Sequence, residues 1–384
     1  MTPSLPLLAA APLVAGLVGA ALLGATPTQH LEQHLEQPRP AAATRVATRP
    51  EVVEHVAARS DRAQRRVLAY WTPSRMASAL PIDLIDSVTA KVKKNGLLGG
   101  ISTGTDLSAA PRLVGADGRV DLPRKILAPR KILTPGKKTT PRPHRALAHQ
   151  SAKAVTSTSG SLWGAGGLVS RTTGRVFLTL KGVDFVCSAS TVKSANHDLV
   201  LTAGHCVKDG TGAWADNWTF VPSYRAGGGR PYGSYTARRM FVAGPWSHSG
   251  DDSADVGMVA LNQSDGRHAI DVVGYQNILF DRPRGGRLYG FGFPADAPYD
   301  GENLIYCAGS VRDDPYGQTR DQGLPCDMTA GSSGGPWLTD FDTRSGRGSI
   351  VSLSSFKYSD NHHVMYGPYF GESAKALFKL AERA

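Results

Sequence analysis

The sequence predicts an all-β fold for the part of the chain after about residue 158. Short β-branched and aromatic runs follow one another there, among them "GRVFLTL", "DFVCSASTV", "WTFVPSY" and "RLYGFGF". Gly, Asn, Asp and Pro separate these runs at short intervals, and the chain holds 43 Gly and 25 Pro in 384 residues. Strand-length runs broken by turn residues are typical of antiparallel sandwiches and barrels. Strands do not alternate with helices, which disfavours a doubly wound α/β fold.

A single helix is predicted at the C-terminal end of this β-rich part, in "ESAKALFKLAERA". Ala374, Leu377, Leu380 and Ala381 recur at helical spacing and form one apolar stripe. We expect that stripe to lie against the β-rich core.

The first 25 residues read as a secretory signal peptide. The run "LPLLAAAPLVAGLVGAALLGA" is apolar, and the first charged residue of the chain is Glu32. Cleavage is expected near Ala25. No Lys or Arg precedes the apolar run, unlike in most signal peptides, so an uncleaved membrane anchor and a mis-assigned start codon are the alternatives. We favour export, with a secreted product and no stable membrane association.

Residues 26–157 are predicted to be a basic pro-segment. They carry 22 Lys or Arg against 10 Asp or Glu, whereas residues 158–384 carry 21 against 22. A nucleic-acid groove needs its cations on a folded surface, and here they lie largely in a Pro-rich stretch. We therefore expect no nucleic-acid partner, although the net charge is +11.

The pro-segment divides into three stretches. Residues 26–50 are rich in Ala, Pro and Gln and are predicted to be disordered. One or two helices are expected before Pro73, because Val53, Val56 and Ala57, and later Val67 and Leu68, have helical spacing. Residues 111–155 contain the repeat "PRKILAPRKILTP". They are predicted to be either a solvated linker or a tether that is cut on maturation, and we favour the tether.

Four cysteines, Cys187, Cys206, Cys307 and Cys326, suit an exported protein with two disulfides. Three pairings are possible, and spacing favours Cys187–Cys206 and Cys307–Cys326. No pair has the short spacing of zinc ligands, so disulfides are preferred over a metal site. We expect no metal and no cofactor.

Three motifs carry candidate chemistry: "LTAGHC" at residues 201–206, "SADVGMVAL" at 253–261 and "TAGSSGGPW" at 329–337. Singly, each motif has an ordinary structural explanation. These explanations are a core or surface histidine, a strand-edge or helix-capping aspartate, and a plain glycine-rich turn. Together they supply a base, a carboxylate and a nucleophile in the order His205, Asp255, Ser333. A serine hydroxyl needs a base to remove its proton, and the imidazole needs a carboxylate to fix its tautomer.

These motifs resemble, in that order, the His, Asp and Ser motifs of chymotrypsin/trypsin-like serine peptidases. The resemblance covers about residues 170–384, and "YGPYFG" before the terminal helix is similar to the family's closing strand. The wider chain resembles secreted actinobacterial pro-peptidases of this superfamily, a group likened to glutamyl endopeptidases. "AYWTPSRM" is similar to their pro-segment.

The resemblance implies two antiparallel six-stranded barrels over residues 158–384, with the site in the cleft between them. It implies that His205 is the general base, Asp255 its orienting acid and Ser333 the nucleophile. The backbone N–H groups of Gly331 and Ser333 would form the oxyanion hole. Asp251 and Asp252 are the nearest rivals to Asp255, but they lie in a polar loop. The product would be a monomeric endopeptidase acting on proteins or peptides through an acyl-enzyme.

Substrate preference stays open between two interpretations. Asp327 lies six residues before Ser333, where trypsin-like members carry the acid that binds Arg or Lys. In the glutamyl endopeptidase-like branch, hydroxyl and imidazole donors bind an acidic side chain instead. The candidates for that role are Thr329, Ser352, Ser354, His362 and His363. A third possibility is that Asp327 only stabilises a turn.

Two rival functions are weighed against the peptidase. "GSSGG" also fits the nucleophile elbow of α/β-hydrolase esterases, but that fold has the order Ser, acid, His. A catalytically silent relative that only binds proteins, including its own pro-segment, is the second rival.

The chain departs from the chymotrypsin pattern at Ser332, where zymogens of that type have an Asp that pairs with a newly freed N-terminal amine. Latency would therefore need another cause, for example a pro-segment covering the cleft.

Overall fold

A computed structural model describes residues 50–82 and 157–384. The signal peptide, the disordered stretch at 26–50 and the basic linker at 111–155, all predicted from the sequence, lie outside the described residues, apart from Pro50. In the parts of the chain that the structure describes, no helix is both long enough and apolar enough to cross a membrane.

Residues 50–82, called the strap below, fold into two strands and two helices on the following β-rich body: β1 (Val52–Val56), α1 (Asp61–Tyr70), α2 (Pro73–Ser78) and β2 (Leu80–Pro81). The expected helix over Val53–Ala57 is wrong, because β1 pairs antiparallel with a body strand. "VVEHV" has the β-branched residues that favour strands, and tertiary pairing overrides its weak helical spacing. α1 is confirmed, with Ser60 capping its N-terminus through Ala63 N–H.

The first half of the body is a closed six-stranded antiparallel barrel. Its strands follow in the order β7, β4, β5, β6, β9, β8, and β8 pairs back to β7. Their bounds are β4 (Thr173–Leu180), β5 (Val183–Thr191), β6 (Leu199–Thr202), β7 (Asp216–Pro222), β8 (Tyr235–Ala243) and β9 (Gly257–Leu261). β7 pairs only with Tyr235 and Thr236 of β8, and the strap adds β1 to the remaining part of β8, from Arg239 to Ala243. The strap also adds β2, which pairs parallel with Phe185 and Val186 of β5.

The second half of the body consists of a six-stranded sheet and a three-stranded sheet. The larger has the order β10, β16, β15, β11, β12, β3, and the smaller has β13, β14, β17. Their strands are β3 (Thr158–Leu162), β10 (Asn277–Ile278), β11 (Arg287–Gly292), β12 (Ile305–Ser310), β13 (Arg312–Asp313), β14 (Gln322–Pro325), β15 (Pro336–Asp342), β16 (Arg347–Leu353) and β17 (Val364–Gly367). The all-β class is thus confirmed, with one hydrogen-bonded closed barrel and a second half of two sheets.

Short helices connect these strands, and a longer one ends the chain: α3 (Gly167–Thr172), α4 (Gly244–Ser249), a 3₁₀ turn (Asp252–Ala254), α5 (Ala269–Val273) and α6 (Glu372–Ala381). α6 is the helix expected in "ESAKALFKLAERA". Its buried residues are Ala374, Leu377 and Ala381, which belong to the barrel core. Leu380 is 46% exposed, so its place in the apolar stripe is a correction.

Candidate active site

His205 lies in the turn that follows β6, at one end of the barrel. The disulfide Cys187–Cys206 joins the residue after His205 to β5. A second disulfide, Cys307–Cys326, joins β12 to the segment before the glycine-rich serine turn. These are the two pairings that the spacing favours, and the first one limits how far the histidine can move from the strands.

Asp255 follows the 3₁₀ turn Asp252–Ala254 and is 1% exposed. Its Oδ1 accepts the backbone N–H of His205, and its Oδ2 accepts His205 Nδ1–H, both at 2.8 Å. This bidentate contact places the imidazole proton on Nδ1, so that Nε2 carries the lone pair. The rivals Asp251 and Asp252 are exposed, and Asp251 caps the 3₁₀ turn through Ser253 N–H.

Ser355 completes the environment of Asp255 and was not found from the sequence. Its hydroxyl donates to Asp255 Oδ2 from the second half of the body. Burial by itself raises the pKa of Asp255, but electrostatic attraction to His205 and the hydrogen bonds from His205 and Ser355 outweigh burial. The pKa therefore lies below its ordinary value, and the carboxylate is held ionised.

Ser333 lies in the tight turn that precedes β15, and it is 2% exposed. Gly331 has a φ of +92° and Gly334 a φ of +80°, a region that side chains other than glycine rarely adopt. A Cβ at Gly334 would overlap Thr202 Oγ1 and the Ser188 carbonyl. The glycines therefore let the serine turn approach the end of the barrel where His205 lies.

Ser188 on β5 fastens the serine turn to the barrel. Its backbone N–H donates to the Ser333 carbonyl at 2.7 Å, and its hydroxyl donates to the Gly331 carbonyl at 2.9 Å. The same hydroxyl accepts Phe293 N–H at 2.9 Å. One buried residue of the barrel thus fixes the backbone on both sides of Ser332.

Ser332 is buried beside Ser333 but has a local structural role. Its hydroxyl donates to the Thr329 carbonyl at 2.7 Å, and its N–H donates to the same carbonyl at 3.2 Å. The side chain is neutral, so it offers no charge to a cationic chain terminus.

The residues predicted for substrate preference have internal partners. Ser352 donates to the Pro368 carbonyl, Ser354 accepts from the Trp337 indole, and Thr329 donates to the Asp296 carbonyl. These hydroxyls stabilise the surrounding loops and strands, and their role in substrate binding stays a prediction.

Asp327 is paired with a histidine. Its Oδ1 lies 2.7 Å from His363 Nδ1, and Lys357 is near enough to lower its pKa. Burial raises the pKa of Asp327, but hydrogen bonds from Ser159 and His363 hold it below the ordinary value. Lys357 Nζ donates to the Cys326 carbonyl at 2.8 Å. Asp327 thus already has partners within the protein: His363 in direct contact and the Lys357 ammonium nearby.

A second buried carboxylate, Asp321, lies close enough to Asp255 for their charges to interact. It is fully buried, and neither of its oxygens has a hydrogen-bond partner among the residues that the structure describes. Burial, followed by the charge of Asp255 and of neighbouring aspartates, raises its pKa to about 8. Asp321 is therefore protonated at neutral pH, which spares the site a second buried charge.

Within residues 50–82 and 157–384, one group of side chains has the spacing of metal ligands: Cys187, His205 and Cys206. The two sulfur atoms form a disulfide, so neither can supply the thiolate that binds metals. His205 Nδ1 is engaged with Asp255. These residues do not fit a metal ion.

The barrel, the His205–Asp255 pair and the glycine-rich serine turn define a chymotrypsin-like peptidase fold. Residues 187–344, which include all three candidate residues, match the family described as a trypsin-like peptidase domain. The protease Anisep from Arthrobacter nicotinovorans is 39% identical, with a TM-score of 0.54, over 56% of this chain and 96% of that chain. A thermostable serine protease, AL20, from an extremophilic microorganism is 38% identical with the same TM-score, over 56% of this chain and 99% of that one. The chain belongs to the trypsin-like serine peptidase superfamily.

A curated relative is the extracellular metalloprotease of Bacillus subtilis (strain 168), 34% identical over 104 residues. The match spans 27% of this chain and only a third of the length of that relative.

Proposed function

We propose that this chain is the precursor of a secreted serine endopeptidase that hydrolyses peptide bonds with His205, Asp255 and Ser333. The observation that carries the proposal is the buried Asp255, which accepts two hydrogen bonds from His205 and one from Ser355. A carboxylate so placed orients the imidazole and stabilises the cation that forms on it. The peptidase fold and the relatives named as proteases support the same conclusion.

The reaction would run through an acyl-enzyme. His205 Nε2 takes the proton of Ser333 Oγ as the oxygen attacks the scissile carbonyl, and then gives it to the leaving amine. Water attacks the acyl-enzyme with His205 again as base, and the acid product leaves. The N–H groups of Gly331 and Ser333 would stabilise the oxyanion, and removing one such donor typically slows an enzyme by about 10²–10³-fold.

Secretion is proposed on three supports. The first is the signal-like run at residues 5–25, which lies outside the described residues. The second is the presence of two disulfides, which persist in oxidising compartments. The third is the Bacillus relative, which is named as extracellular.

A fluorophosphonate probe tests the proposal. Mature protein should be labelled on one serine, and Ser333→Ala should lose both labelling and proteolysis. Ser332→Ala is the matched control, because it changes the adjacent serine and should keep substantial activity. Absence of labelling in the folded, processed wild-type protein would leave the silent, protein-binding alternative in its place.

Profiling cleavage of a peptide library would assign the residue preferred before the scissile bond. If Asp327 selects Arg or Lys, Asp327→Asn should abolish that preference. If Asp327 interacts only with His363 and Lys357 and not with substrate, Asp327→Asn should leave the preference unchanged.

A further inference from the structure

The barrel has an apolar patch on its outer wall, and the strap covers it. Neighbouring residues of β4, β5 and β7 belong to two different cores: Val176, Cys187 and Phe220 lie in the main core. Their chain neighbours, which form the outer patch, are Phe177, Val186 and Val221. Successive side chains of a strand point to opposite faces, so the patch faces away from the barrel interior. All three patch residues are nevertheless fully buried.

Side chains of the strap bury this patch together with Tyr224 and Phe293 of the body. Trp71 and Met76 are each 2% exposed, and Trp71 lies 5.5 Å from Phe177 between ring centroids. The Trp71 indole N–H donates to the Asn217 carbonyl at 2.6 Å. A fully buried indole with its polar atom satisfied is typical of a permanent core or a tight interface rather than of a transient contact.

Backbone pairing holds the other end of the strap. β1 pairs with β8 over five residues, from Val52 opposite Ala243 to Val56 opposite Arg239. Two further backbone hydrogen bonds, Ala57 N to Arg238 O and Ala58 N to Ala237 O, extend the pairing. Without β1 this stretch of β8 would be an open strand edge, which favours unwanted strand pairing.

Charges on the two surfaces are complementary. Glu54 accepts from Arg239 Nη2 at 2.6 Å, and Arg75 Nη1 lies 2.9 Å from Asp184 Oδ2. Tyr70 also donates to Asp184, at 2.7 Å. The strap therefore matches the barrel in apolar packing, in backbone pairing and in charge.

We propose that the strap is not discarded with the rest of the pro-segment but stays bound to the barrel as a noncovalent subunit after the linker is hydrolysed. Hydrolysis between residues 83 and 156 adds water across one peptide bond, leaving a carboxylate on the strap side and an amine on the body side. It breaks none of the contacts described above. The strap lies outside residues 187–344, which match the peptidase family, so the family match by itself does not assign the strap a role.

The test uses the full chain with Ser333→Ala and a recognition sequence for a site-specific protease inserted within "PRKILAPRKILTP". After complete cleavage, native size-exclusion chromatography and native mass spectrometry at micromolar concentration should show the N-terminal fragment and the body together at 1:1. Denaturant should separate them. Because Ser333→Ala is used, the result does not depend on whether the chain is an active peptidase.

Matched variants locate the contact. Trp71→Ala should weaken the association by at least about 100-fold, from the usual loss for a buried aromatic side chain. Arg75→Glu places a second carboxylate beside Asp184 and keeps the apolar cluster. It should weaken the association of the strap with the body by about tenfold or more. Leu68→Ala, at an exposed position of α1, should change nothing. Elution of the wild-type fragment apart from the body overturns the proposal, whether or not the body stays soluble.

Discussion

At the scale of single residues, Ser355 shows how the second half of the body takes part in the His205–Asp255 pair. Ser355→Ala removes a hydrogen bond to a buried carboxylate, and such bonds to charged groups are worth about 1.5–3 kcal/mol. We expect kcat to fall by about tenfold or more with KM little changed, and the acid limb of the pH profile to shift. Steady-state kinetics across pH measure both effects.

Ser354→Ala is the matched control for Ser355→Ala. The Ser354 hydroxyl accepts a hydrogen bond from the Trp337 indole, whereas the hydrogen bonds to Asp255 come from His205 and Ser355. Its loss should lower the melting temperature and leave the pH profile unchanged. Equal effects of the two changes on kcat would contradict a positioning role for Ser355.

Asp321 should make stability depend on pH. Its pKa is about 8 in the folded state against an ordinary 3.8, so the unfolded chain loses this proton first as the pH rises. The contribution of Asp321 to stability is thus fully present below about pH 4 and is lost progressively up to about pH 8. Asp321→Asn keeps the group neutral. Its melting temperature should equal that of the wild type near pH 4 and exceed it by several degrees at pH 8.

Thermal unfolding at a series of pH values measures this difference, with Asp216→Asn as the control at an exposed position. A constant difference between Asp321→Asn and wild type from pH 4 to pH 8 would show that Asp321 does not titrate as described.

At the scale of elements, the C-terminal helix α6 contains one buried and one exposed leucine, which makes a matched pair of truncations possible. Leu377 is fully buried in the barrel core, and Leu380 is about half exposed. Leu377→Ala should lower the free energy of unfolding by about 2–5 kcal/mol, as other buried leucine truncations do. Leu380→Ala should change it by less than about 0.5 kcal/mol. Chemical denaturation of both variants measures the contrast, and similar losses would contradict the described packing.

The elements differ in how far the sequence predicts them. The strands of the body and α6 follow from strong local patterns, and the His205 and Asp255 motifs are specific enough to predict that the two residues meet. The apolar spacing in β1 predicts a helix. The strand is missed because its pairing partner, β8, lies far along the chain. Ser355 has no motif of its own, and the burial of Asp321 results from loops distant in sequence. The run "VFL" in β4 is apolar on both faces, so it does not indicate that the strap covers one of them.

At the scale of the whole molecule, Ser188 joins the two halves of the body at the candidate site. Ser188→Ala leaves the N–H of Phe293 and the carbonyl of Gly331 without this partner in a buried place, where an unmade hydrogen bond costs about 1–3 kcal/mol. The serine turn should shift, and kcat/KM should fall by about tenfold or more. Ser190→Ala, a buried serine on the same strand, is the control. Unchanged kinetics in Ser188→Ala would mean that the turn is held by other contacts.

The hydrogen bond from Ser355 to Asp255 also has a consequence for biosynthesis. The ribosome delivers His205 and Asp255 first, and Ser333 and Ser355 much later, so the barrel can form before the serine turn and Ser355 reach it. If the chain is the secreted peptidase proposed above, its candidate site would stay incomplete until the last strands had been synthesised and had crossed the membrane. Under that proposal, the order of residues along the chain would by itself withhold activity until synthesis is nearly complete.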